Sequence, residues 1–352
     1  MNPPLSETKI CVEKIFAADI HEIDEINSSI NNPGLHKKLK AAFLTKKIWP
    51  AGSDITIAFL GKGDNVKRTN LSSSTKEVDP LQKEVESLSV QDAIKKIVYE
   101  RIQPIVDLNF SFVDHPSKAI IRISFDKNAG AWSLVGTDNL LKKEGATMNL
   151  GWFDVPTTLH EFGHLLGLVH EHQNPKGKKI MWDEPKVLEW AKETQGWSDD
   201  VTKENIINKY EEDTINGGDF DPLSIMLYFF PSSLTTNNTG TEQNLRLSGE
   251  DVVWLNKIYH KEDGVTPEEF YEKTYKTSLQ SSLDKSKKMA AEFGGSDTSK
   301  PSDTTSKPSD TSNPNTINNI ANQLKLDWKT ISIASAFGIF FVVILLLWFL
   351  LR

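Results

Sequence analysis

The chain has a single cysteine, Cys11. No disulfide can form within it, so the sequence is not built for an oxidising compartment. It also lacks a basic excess. Acidic residues number 48 against 40 basic ones, for a net charge of −8, which argues against a nucleic-acid partner. The opening stretch, MNPPLSETKICVEKIF, holds no apolar run of signal-peptide length. Sequon-like triplets at Asn27, Asn70, Asn109 and Asn237 therefore carry little weight. Histidine is scarce too, with eight in 352 residues. Four of the eight fall within TTLHEFGHLLGLVHEHQNP, 157–175.

Long apolar runs are missing everywhere except at one place. Residues 331–351, ISIASAFGIFFVVILLLWFLL, carry no charge. As a helix they would span ~31 Å, the thickness of a bilayer core. A single-pass tail anchor is expected over 328–352, with the body on the cytosolic side, because Lys325 and Lys329 precede the run and only Arg352 follows it. Before it, SDTSKPSDTTSKPSDTSNPNT has no large apolar residue. Segment 276–327 is therefore expected to be a flexible stalk.

The remainder reads as an α+β domain. Phe16, Ile20, Ile23, Ile26 and Ile30 recur at helical spacing, which predicts an N-terminal helical segment within 1–35. DITIAFL (54–60), LNFSFV (108–113), AIIRISF (119–125) and ATMNLGWF (146–153) read as strands. Apolar spacing over 81–105 predicts one amphipathic helix. The resulting order is strand, helix, three strands, helix, as in a mixed sheet backed by helices. After 175 the pattern turns mostly helical. Ser248 and Asp251 stand at capping-box spacing ahead of an apolar run.

The histidine stretch carries the chemistry. On a helix, His160 and His164 share one face and can point at one atom. Glu161 lies between them, placed to reach past a metal ion and not to bind it. Two imidazoles on a rigid helix suit zinc. His170 could not join them on a continued helix, since six residues turn it about 240° away. Gly167 can enter the left-handed conformation that stops the helix and returns the chain. Three protein ligands would leave a coordination position open, the mark of a catalytic zinc site. Glu161 would then act as general base on the attacking water. His172 is expected to be a solvated or hydrogen-bonded neighbour.

The pattern H-E-x-x-H-x-x-G-x-x-H resembles the signature of the metzincin zinc endopeptidases. DPLSIMLYFFP, 221–231, resembles their Met-turn, with Met226 beneath the ligands. Glu171 after the third histidine, Tyr228 two residues past Met226, and AGAWSLVG (129–136) are similar to the astacin branch. Leu227 stands where astacins usually keep a histidine, and Asn174-Pro175 replaces their arginine-containing continuation, so disulfide-free and matrixin-like members also enter the comparison.

The resemblance implies a two-subdomain catalytic domain over 36–275, with a twisted mixed sheet, a zinc helix and a mostly helical C-terminal part. It implies one catalytic Zn2+ on His160, His164 and His170. Tyr228 is implied as an oxyanion donor, and segment 1–35 as a pro-segment in which Cys11 or Asp19 could face the metal. An extended peptide is expected to add as a strand to 146–152. The function implied is a membrane-tethered zinc endopeptidase. Two alternatives are an inactive scaffold of the same fold, against which the retained Glu161 argues, and a hydrolase of non-peptide amides.

Overall fold

The computed structural model describes residues 12–14, 43–44, 47–71, 74–175, 180–210, 215–216, 219–262 and 264–293. The expected N-terminal helix, Cys11, Asp19, the repeat-containing stretch and the 331–351 run lie outside the described residues. Among the described residues, no helix is long and apolar enough to cross a membrane.

Ten short strands are described, in chain order β1 (Val12–Lys14), β2 (Phe43–Leu44), β3 (Asp54–Phe59), β4 (Lys67–Arg68), β5 (Asn109–Phe112), β6 (Ile121–Ser124), β7 (Ala131–Leu134), β8 (Met148–Leu150), β9 (Trp152–Phe153) and β10 (Ile215–Asn216). The helices are α1 (Leu81–Val85), α2 (Val90–Ile97), α3 (Val155–Leu165), α4 (Glu184–Gln195), α5 (Asp199–Thr202), α6 (Gly249–Ile258), α7 (Pro267–Tyr275) and α8 (Leu279–Glu292). π-Helical turns continue α2 at Val98–Ile102 and α5 at Lys203–Ile207.

The main sheet has the order β1-β7-β8-β6-β3-β5. All its pairings are parallel except β7 with β8. The α+β mixed-sheet expectation holds. Ile55, Ile57, Ile121, Ile123, Met148 and Leu150 point into one core with α2 and α3, all fully buried. At roughly 25 cal/mol per Å2 of apolar surface removed from water, each such side chain contributes on the order of 1.5–3 kcal/mol.

Four details differ from the sequence reading. First, 81–105 is not one helix. Arg68 donates from Nη1 to Val85 O and from Nη2 to Leu88 O, closing α1. Ser89 then opens α2 by accepting from Asp92 N. Second, an additional strand, β7, precedes β8. Asn149 creates it by gripping the intervening loop. Its Nδ2 donates to Asp126 O and Gly130 O, while its Oδ1 accepts from Asp126 N.

Third, β8 is interior, flanked by β6 and β7, so 146–152 offers no edge to a peptide. The strand next to the zinc helix on the outer side is β7, which packs against α3. Its outer edge is covered by β1, running parallel with Val12 opposite Trp132 and Lys14 opposite Leu134.

Fourth, the helical C-terminal part extends past the expected limit of 275. α8 lies within the stretch read as a stalk, yet it packs on α6 and α7. Ser282 Oγ accepts from Gly249 N, and Ser286 Oγ donates to Asp221 Oδ1. Residues to 292 thus belong to the folded unit.

Candidate metal centre

Helix α3 begins where Asp154 accepts from Thr157 N, with Pro156 in the first turn. Both are start signals of an α-helix. It ends in a Schellman arrangement. Leu168 N reaches back to Gly163 O, Gly167 N reaches His164 O, and Gly167 sits at φ +89°. Only glycine takes that conformation without a Cβ clash. The chain then reverses and brings His170 to the face that carries His160 and His164.

All three histidines are buried, and one ligand nitrogen from each lies within 4.8 Å of the others. Each Nδ1 donates outward: His160 to Ile225 O at 2.8 Å, His164 to Leu168 O at 2.9 Å, His170 to Gln173 Oε1 at 3.3 Å. The Nε2 lone pairs are thereby turned toward one point. His164 Nε2 and His170 Nε2 stand 3.1 Å apart, and His160 Nε2 is buried with no hydrogen-bond partner. Two lone pairs facing each other at that distance repel unless a cation lies between them. The residues fit a metal ion of imidazole preference, and three nitrogens with no carboxylate favour zinc. Burial keeps these rings neutral. His160 is pushed down to about 4, and His164 and His170 well below the ordinary value, by loss of solvation. Protons therefore compete poorly for the ligand atoms.

Glu161 is fully buried on the same helix, one residue from His160. Met226 lies under α3. Its N–H donates to Ser224 Oγ, and its carbonyl accepts from Glu171 N. A Cβ on Gly163 would come within 2.5 Å of Met226 Sδ, so that glycine is what lets the turn approach the helix. The Tyr228 hydroxyl donates to His170 Nε2 at 2.5 Å, and its ring stacks on His160 at 5.5 Å. The residues read as ligands, base, helix-ending glycine, Met-turn methionine and oxyanion donor (His160, Glu161, His164, Gly167, His170, Met226 and Tyr228) thus lie on α3, the turn after it and the turn packed against it, while Cys11 and Asp19 are outside the described residues.

The roles of other participants were not visible in the sequence. Asp251 does more than cap α6. It accepts from Ser224 Oγ and Ile225 N, holding the turn whose carbonyl orients His160. Glu171, Asp221 and Asp251 form a buried carboxyl group under the site. Burial raises Glu171 well above its ordinary value, and Asp251 to about 6. His172 is the hydrogen-bonded neighbour of the two forms expected, and not a solvated one. It is fully buried, donates from Nε2 to Asn205 O, and burial pushes it down to about 3. Its spacing of two from His170 was the signal, because the chain here is tightly turned and both rings stack inward at 5.3 Å.

The chain is similar to several known proteins. Residues 89–260 match the model of the Astacin family, a family of peptidases. Among solved structures, one titled "Structure of myroilysin" is similar at TM-score 0.51 and 29% identity, covering 62% of this chain and 98% of that one. A second myroilysin structure is similar at TM-score 0.43 and 25% identity, covering 74% and 94%. A hatching-enzyme zinc-protease from Oryzias latipes, the medaka fish, is similar at TM-score 0.37 and 14% identity, covering 63% and 98%. No curated protein matches the chain.

Proposed function

We propose, from the premise that residues 89–260 of this chain belong to the astacin family of zinc metallopeptidases, that the protein is an endopeptidase in which Glu161 is the general base. Its cofactor is one catalytic zinc, for which His160, His164 and His170 are the ligand set. Bound zinc polarises a carbonyl and acidifies water. The protein's own residues supply the rest. Glu161 takes a proton from the attacking water and hands it to the leaving amine nitrogen. The Tyr228 hydroxyl, already directed at the ligand nitrogens, donates to the oxygen on which charge develops. Outward donation from each ligand's Nδ1 holds the three rings in register while this occurs.

The observation that carries the reading is the convergence of three buried, neutral ring nitrogens beside a buried glutamate. Glu161→Gln should retain zinc and lose peptide cleavage by about 10²–10⁴-fold, while His164→Ala should lose both. Wild-type turnover in Glu161→Gln would sink the mechanism.

The edge of β7 supports a role for segment 1–35 as a latency device. Val12–Lys14 occupies the backbone positions that an extended peptide substrate would need beside α3. Deleting 1–35 should raise cleavage of a short peptide, and unchanged cleavage would argue against it. The uncharged 331–351 run supports tethering to a membrane, and Lys325 and Lys329 ahead of it against Arg352 behind it support a catalytic domain on the cytosolic side. A tag at residue 1 should be digested by protease added to the cytosolic face of intact membranes. A tag protected until detergent is added would reverse that topology.

A further inference from the structure

We propose that Gln173 is a positioning residue that fixes the third ligand, His170, in its metal-binding tautomer, and that the segment from Lys203 to Asn208 fixes Gln173 in turn. The inference rests on the zinc reading of the site. His160 and His164 ride on one rigid helix, and their Nδ1 partners are backbone carbonyls that no substitution removes. His170 has neither advantage. It follows the helix end, and no helical ladder sets its ring. Its Nδ1 partner is a side chain, Gln173 Oε1.

The Gln173 amide has only one workable orientation. Its Nε2 donates to Glu204 O at 2.6 Å and to Asn208 O at 2.9 Å. Turned over, the amide oxygen would face two carbonyl oxygens, and the NH2 group would face the Nδ1–H of His170. The two carbonyls therefore dictate that oxygen points at His170. An acceptor there requires the proton on Nδ1 and leaves the lone pair on Nε2, aimed at the other ligands. Both carbonyls come from the π-helical turn Lys203–Ile207 and its cap, at the end of the helix where the last carbonyls have no partner on their own ladder.

The same segment and the two residues after it also grip Gln173 and the residues on each side of it. His172 Nε2 donates to Asn205 O, Tyr210 N to Gln173 O, and Lys209 Nζ to His172 O and Asn174 O. The third ligand is thus held from outside the zinc signature, by a stretch some thirty residues downstream.

Zinc affinity measured by competition with a chelator, on the full chain, tests this without recourse to activity. Gln173→Leu should weaken zinc binding about 10–100-fold. Gln173→Glu should weaken it less, because a carboxylate oxygen still accepts from Nδ1–H although it cannot donate to the two carbonyls. In the zinc-loaded wild type, the His170 Nδ1–H should appear by NMR as a slowly exchanging proton, and Gln173→Leu should make it exchange fast. Unchanged affinity in Gln173→Leu overturns the proposal, as do equal losses in the leucine and glutamate variants. Fast exchange of that proton in the wild type overturns it even if neither variant folds. Wild-type protein that takes up no zinc would overturn the metallopeptidase reading as well. Zinc uptake indifferent to Gln173 overturns this inference alone.

Discussion

Replacing Gly163 by alanine sets two known effects against each other, and the structure decides their sum. Glycine late in a helix is unfavourable, so alanine would add up to about 1 kcal/mol if nothing else touched it. At this position the new methyl would sit 2.5 Å from Met226 Sδ, about an ångström inside ordinary contact. Met226 Sδ ends a flexible side chain, so part of the overlap can be relieved by rotation, but the residue is buried in the main core and has little space to rotate into. Overpacking of a buried site costs about 1–3 kcal/mol. The sum is a destabilisation of roughly 0–3 kcal/mol in the zinc-free protein. Paired with Met226→Ala, which vacates the space, the same glycine substitution should stabilise. A double-mutant cycle by denaturant unfolding should therefore give a coupling of about 1–3 kcal/mol. If Gly163→Ala stabilises equally with Met226 and with Ala at 226, the close approach of turn and helix is not a constraint and the reasoning fails.

Tyr228→Phe keeps the ring stacked on His160 and removes only the hydroxyl. It should lower kcat by about 10²–10³ with little change in KM, and an unchanged kcat would reduce Tyr228 to packing. Truncation after 275 removes the Ser286 donor from buried Asp221 and the Ser282 acceptor from Gly249 N, and should cost about 1–3 kcal/mol or more by thermal unfolding. Truncation after 296 should be neutral, and equal stability of the two would show α8 to be dispensable. The zinc-free protein should lose stability as pH falls from about 6.5 toward 4, measured by denaturant midpoint. His160 and His172, at about 4 and about 3 when folded against 6.5 ordinarily, stay neutral in the folded state while the unfolded chain takes up protons. Together they are worth roughly 8 kcal/mol as an upper bound. Asp251, raised to about 6, works the other way by roughly 3 kcal/mol, and Glu171 and Asp221, both raised by burial, work in the same sense, while His164 and His170 add to the loss. A midpoint that rises on acidification would contradict this balance.

The parts of the fold that could be read from the sequence were those whose causes are local. The end of α3 announces itself through the left-handed Gly167, and the four-residue spacing of His160 and His164 needs nothing beyond helix geometry, whereas its start at the Asp154 cap was not singled out. Strand β7 was hidden for the opposite reason. AWSL is buried on both faces, so it shows no alternation, and its position depends on Asn149 reaching back across the sheet. The interior place of β8 was equally hidden, because edge and centre differ in partners and not in composition. In α8 the buried face includes Ser282 and Ser286, which look solvated by composition. They are buried because Gly249 N and Asp221 wait for their hydroxyls.

The site divides along the same line. Ligands, base and glycine sit in one short run, and metal chemistry dictates their types. The groups that aim those ligands obey no spacing rule. Ile225 O, Leu168 O and Gln173 Oε1 do the same work for three chemically identical rings, yet two are main chain and one is an amide. The requirement is an acceptor at a point in space, and any atom that folding delivers there will serve. A sequence therefore shows which residues can hold a zinc ion, whereas only the folded chain shows what holds those residues. In this protein the latter includes a carboxylate on α6, a π-helical turn and an unpaired-looking glutamine, none of which the zinc signature contains.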